Sequence, residues 1–153
     1  MDYHITIGTY GTRLHGGERP TVDRFDKHQY GEEFLERDAK RELFARDKMT
    51  QRPVYLTQEQ RQFVENVMPD ICQKGKWLYH IAACQVDHLH LLVSSDVEPK
   101  KIRRWLKQWL TMALNDKFGK RQWLAEFGST KYLFEEGYFE AVYEYIKAQR
   151  ITQ

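Results

Sequence analysis

The chain has 153 residues, 41% hydrophobic and 30% charged, with a formal net charge of +2. That length suits one domain, residues 1–153, able to bury a core without staples, and no apolar run approaches the roughly 20 residues that span a bilayer. Cys72 and Cys84 do not make a disulfide framework, and MDYHITIGTYG lacks the basic head and apolar middle of a secretory signal, so the expected address is the cytoplasm, with no membrane partner.

In chain order, YHITIGTY (3–10) alternates Tyr3, Ile5 and Ile7 with polar or small residues and reads as a first strand. Gly16, Gly17 and Pro20 then break regularity. Roughly half the residues of 18–52 are charged with mixed signs, which suits a solvated insertion, with Phe34, Leu35, Leu43 and Phe44 anchoring a short helix. Thr57 and Gln60 form a capping box, and Phe63, Val64, Val67, Met68 and Ile71 recur at helical spacing. Pro69 is expected to kink this helix or end it early.

KWLYHIAACQV (76–86) and HLHLLVS (88–94) read as two strands, joined by a tight hairpin or bulge at Gln85–Asp87. Pro99 opens a helix with an apolar stripe of Ile102, Trp105, Leu106, Trp109, Leu110, Ala113 and Leu114, stopped at Gly119. STKYLF (129–134) reads as a short strand and YFEAVYEYIKAQ (138–149) as a final helix, packing through Phe139, Val142 and Ile146. Helices interspersed with an adjacent hairpin argue for an α+β sandwich, an antiparallel sheet with helices packed on it.

Residues two apart on a strand share a face, so Leu89, Leu91 and Val93 point one way and His88, His90 and Leu92 the other. Two imidazoles so spaced can chelate a divalent ion, which needs at least a third ligand. Alone the motif is short enough to arise by chance, and histidines on a solvated sheet face need no ion. On the last helix, Tyr145 and Gln149 stand four apart on one face. Gln149 offers a neutral carbonyl oxygen as a third ligand. The Tyr145 phenol, unreactive at its ordinary pKa of about 10, can attack a phosphodiester whose oxygens an ion neutralises. Tyr143 sits about 200° round the helix from Tyr145, and Tyr138 lies two turns earlier. Asp87 reads as a turn residue that could also orient a ligand imidazole. His4 and His80 read as structural histidines, and Cys84 as an inert buried thiol.

DHLHLLVS with a later YIKAQ resembles the single-tyrosine HUH transposases, which include the IS200-like and REP-associated tyrosine transposases. ITIGTYGTRLHGGERPTVDR and GSTKYLFEEGYFEAVYEYI add to the likeness, which is thinnest over 25–52. The resemblance implies a ferredoxin-like sandwich whose C-terminal helix carries the nucleophile, Tyr145. It implies Mg²⁺ or Mn²⁺ held by His88, His90 and Gln149. The implied reaction is cleavage and rejoining of single-stranded, hairpin-flanked DNA through a 5′-phosphotyrosine, by a monomer or a homodimer that exchanges the tyrosine helix.

Two other readings stay open. One is a non-cleaving (domesticated) nucleic-acid-binding module, motivated by an end four residues after Gln149. The other is a replication-initiator or relaxase-like HUH nickase. Candidate DNA contacts are Arg13, His15 and Arg19 in the glycine-rich stretch, and Lys100, Lys101, Arg103, Arg104 and Lys107 on the long helix. Trp105 and Trp109 fit the apolar stripe better than a base-stacking role.

Overall fold

A computed structural model describes residues 1–12 and 51–151. The charged stretch of 18–52, apart from Gln51 and Arg52, therefore lies outside the described residues, as do Arg13, His15 and Arg19. Strand β1 (Asp2–Thr9) is followed by helix α1 (Gln58–Gly75), strands β2 (Leu78–Cys84) and β3 (His88–Ser94), helix α2 (Pro99–Phe118), strand β4 (Leu124–Tyr132) and helix α3 (Tyr138–Ala148). The four described strands form one sheet in the order β2-β3-β1-β4, with every pairing antiparallel. Among the described residues, β1 to β4 follow the βαββαβ arrangement of a ferredoxin-like sandwich, with α3 added.

Alternation in β1 and β3 sorts the two sheet faces. Tyr3, Ile5, Ile7, Leu89, Leu91 and Val93 pack with Val64, Met68 and Ile71 of α1 and Ile102, Leu106, Leu110 and Leu114 of α2 in the main core. Across the sheet, Ile81, Ala83 and Leu92 meet Ile146 of α3 in a second, smaller cluster, flanked by Leu133, Phe139, Val142 and Tyr143. Two helices thus cover one face, and the tyrosine-bearing helix lies on the other.

The structure departs from two expectations in part. Pro69 neither ends nor shortens α1, which continues to Gly75. Buried Val64 and Met68 before it, and Ile71 and Cys72 after it, hold both halves against the sheet. Their burial, worth about 1.5–3 kcal/mol per large apolar side chain, outweighs a proline cost of about 3 kcal/mol. Strand β4 starts at Leu124, five residues earlier than 129, and ends at Tyr132. Its early half is held from α2, where Arg103 donates to the Gly128 carbonyl (2.9 Å) and Lys107 to that of Glu126 (2.7 Å). Gly128 lies so close to β1 that a Cβ there would stand 2.6 Å from the Thr6 carbonyl oxygen.

Candidate active site

The hairpin ahead of the histidines is tightly fastened. Gln85 N–H donates to the His88 carbonyl (2.7 Å), Leu56 N–H to that of Val86 (2.8 Å), and Thr9 N–H to that of Asp87 (2.9 Å). The Thr9 hydroxyl, itself buried, reaches the same Asp87 oxygen at 3.2 Å and the Val54 carbonyl at 2.6 Å. With its backbone fixed, Asp87 turns its carboxylate onto His88, Oδ1 to Nδ1 at 2.7 Å. Asp87 is therefore a turn residue and an imidazole orienter together. A carboxylate on Nδ1 draws the proton there and leaves Nε2 as the nitrogen His88 can offer an ion.

His90, 5% exposed, is oriented from β1. The register sets Thr6 opposite His90 and His4 opposite Leu92. His90 Nδ1 lies 3.0 Å from His4 Nε2 and 3.1 Å from the Thr6 hydroxyl. Burial, with the charge of Lys131 on the neighbouring position of β4, pushes the His4 pKa down to about 4. A neutral His4 can accept a hydrogen bond at Nε2 from His90 Nδ1–H, which again leaves Nε2 of His90 for any ligand. The two site imidazoles have ring centres 4.8 Å apart.

Helix α3 brings Tyr145 to this pair. Its ring centre stands 5.6 Å from that of His90 and 6.5 Å from that of His4, and the side chain is 55% exposed. Tyr143 instead stacks on Phe139 and packs beside the second cluster, while Tyr138 is exposed at the first turn. Of the three tyrosines on the helix, Tyr145 is the one in ring contact with the histidines. Gln149 caps the helix one turn on. Its side-chain amide donates to the Tyr145 carbonyl (3.4 Å), and its own carbonyl accepts from Gln85 Nε2 (2.9 Å), next to the hairpin that positions His88.

Among the described residues no three His, Cys, Asp or Glu side chains gather to hold an ion. The donor set that does fit a divalent ion is two imidazole Nε2 atoms completed by oxygen of another kind, such as an amide or a phosphate. His80 bonds the Ser94 hydroxyl (2.7 Å) and packs edge-on against Phe139, which makes it part of the α3 seat.

The α2 cations lie elsewhere. Their helix packs on the main core, across the sheet from Tyr145. Arg103 and Lys107 spend their charge on β4 carbonyls, while Lys100, Lys101 and Arg104 are exposed. His4, Thr6 and Gln85 are site neighbours that inspection of the sequence passes over. The alternation of YHIT places His4 and Thr6 opposite the core face, but only the strand register brings them to His90.

The family model described as IS200-like transposases matches residues 48–152. The chain belongs to the IS200-like transposase family. Solved structures agree on the fold. One is a candidate transposase from Deinococcus radiodurans R1, 14% identical, with a TM-score of 0.53 over 98% of this chain and 91% of that one. Another is a REP-associated tyrosine transposase bound to a REP hairpin, 10% identical, with a TM-score of 0.50 over 95% of this chain and 63% of that one. No curated protein sequence matches. The matched stretch of this transposase includes the histidine pair, Tyr145 and Gln149. None of the helices among its described residues is long and apolar enough to cross a membrane.

Proposed function

We propose that this transposase cuts and rejoins single-stranded DNA at hairpin-flanked sites, with Tyr145 as nucleophile. The observation that carries the reading is the exposed Tyr145 ring, 5.6 Å from that of buried His90, on the face opposite the core. His88 and His90, through Nε2, and Gln149, through its amide oxygen, would hold Mg²⁺ or Mn²⁺. The ion supplies charge neutralisation at the phosphate and at the departing 3′ oxygen.

The protein's own groups do the rest. The Tyr145 hydroxyl loses its proton and its oxygen attacks phosphorus as the bond to the 3′ oxygen breaks. The 3′ oxygen takes up a proton, and the 5′-phosphate stays on the tyrosine. Attack on that ester by another 3′-hydroxyl reverses the step and needs no nucleotide cofactor. Asp87, His4 and Thr6 keep the imidazoles in one tautomer and orientation. Arg13, His15 and Arg19 remain candidates for DNA contact by residue type. Lys100, Lys101 and Arg104, across the sheet, suit phosphates away from it, such as a hairpin stem.

Incubation with a hairpin-bearing single strand and Mg²⁺ should give a covalent adduct on a denaturing gel. Tyr145→Phe should abolish the adduct and keep DNA affinity. An adduct persisting in Tyr145→Phe rejects the nucleophile. Binding without cleavage by the unaltered protein, with either ion, favours a binding module.

A further inference from the structure

Glu65 is the one fully buried acidic side chain among the described residues, 1% exposed. It sits on α1, a helix of the main core, yet its partners come from both sides of the sheet edge. Oε2 accepts from Cys84 N–H at the end of β2 (2.9 Å) and from Ile151 N–H beyond α3 (2.9 Å). Arg150 lies alongside, its Nε 3.8 Å from Glu65 Oε1, and donates from its guanidinium to the Tyr79 hydroxyl (3.3 Å). Arg61, one turn before Glu65, donates to the Cys84 carbonyl (2.7 Å). The Gln85 contact to the Gln149 carbonyl adds a third tie within the same few residues.

A carboxylate is costly to bury and is tolerated only with its oxygens engaged. Here the engagement ties α1 and the outer strand β2, which pack together in the main core, to the residues following α3. Helix α3 needs such a tie. It has 11 residues and buries one fully, Ile146. It starts after Gly137, whose φ of 90° gives the chain a pivot with no atom within 4 Å of a Cβ. With Phe139, Val142 and Tyr143 only partly buried beside Ile146, the apolar seat alone holds a short helix loosely on the sheet. A fixed C-terminal end removes that looseness, and that end carries Gln149 two residues before Ile151 and Tyr145 one turn before Gln149.

We infer that Glu65 is a positioning residue, a buried latch that sets the register of α3 over the sheet and so the places of Tyr145 and Gln149 beside His88 and His90. The inference rests on the reading of α3 as the carrier of nucleophile and third ligand. Its role is distinct from theirs, because the bonds it accepts come from backbone N–H groups at the end of β2 and beyond α3.

The test uses the full chain with Glu65→Ala and two readouts. Amide hydrogen exchange should accelerate at least tenfold across 138–148, while amides of β1 and β3 keep their protection. Mn²⁺ affinity, titrated by its paramagnetic resonance signal without DNA, should fall by the same factor as in Gln149→Ala. The double variant Glu65→Ala/Gln149→Ala should lose no more than either alone. Unchanged exchange in α3 overturns the latch, and loss of protection in α3 and the central strands together reduces Glu65 to a general stability role. If Glu65→Ala does not fold, Gln85→Ala combined with Arg150→Ala must loosen α3 selectively, and failure to do so overturns the inference. Should the unaltered protein bind no Mn²⁺, the metal reading falls while the exchange measurement still decides the latch.

Discussion

The two faces of the sheet are built from the same strands and held in different ways. On one, α1 and α2 enclose a continuous core that includes Ile5, Ile7, Leu89, Leu91, Val93, Leu106 and Leu110. On the other, α3 rests on a patch of Ile81, Ala83, Leu92 and Ile146, and is fastened at its end by polar ties to Glu65 and Gln85. Strand β3 serves both through alternation alone, since Leu89 and Leu91 anchor the strand while His88 and His90 face the chemistry. The lesson is a division of labour in which the core face supplies rigidity and the site face supplies a helix whose position is set by few contacts.

Substitutions on the two faces should therefore differ in kind. Leu91→Ala, in a core closed on all sides, should cost about 2–5 kcal/mol of global stability. At roughly 2–4 °C per kcal/mol for a chain of this size, calorimetry should show a clear drop in Tm. Ile146→Ala removes as large an apolar group, but α3 can leave the sheet as a unit, so the cost cannot exceed that of undocking the helix. Its expected signature is rapid hydrogen exchange over 138–148 with a smaller change in Tm. Equal drops in Tm for the two variants would erase the distinction between the faces.

A finer contrast concerns the imidazoles. Asp87→Asn keeps the shape but removes the charge that orients His88, and should weaken Mn²⁺ binding about 10–100-fold with Tm nearly unchanged. Calorimetric titration measures it, and an unaltered affinity would leave Asp87 with its turn role alone. The smallest effect belongs to the cysteines. Burial pushes the Cys72 thiol up to about 12, and burial with the Glu65 carboxylate raises that of Cys84 higher still. Thiolate is therefore scarce at neutral pH. Iodoacetamide should leave both unmodified in the folded protein by mass spectrometry, and rapid labelling of Cys84 would mean that the β2 edge beneath the latch opens readily.

What could be read from the sequence follows how local each feature is. The alternation of β1 and β3 is written within a few residues and appears as expected, and the α2 stripe holds at Ile102, Leu106, Leu110 and Leu114, whereas Trp105, expected in that stripe, is exposed. Pro69 inside α1 and the early half of β4 depend on burial and on side chains arriving from α2, which no local pattern carries. The site divides the same way. The histidine pair and Tyr145 stand out as motifs, whereas His4 reaches His90 across 86 positions and Glu65 reaches Ile151 across the same separation. The strand position of His4 suggests a structural role, and the partner that satisfies it is a site imidazole.

The central claim is that Tyr145, rather than another tyrosine of α3, takes the DNA. Digestion of the protein–DNA adduct with trypsin and nuclease should leave one peptide, residues 132–147, bearing a nucleotide. Tandem mass spectrometry can distinguish Tyr132, Tyr138, Tyr143 and Tyr145 within it. The account predicts the added mass on Tyr145, and its appearance on Tyr138 or Tyr143 would contradict it.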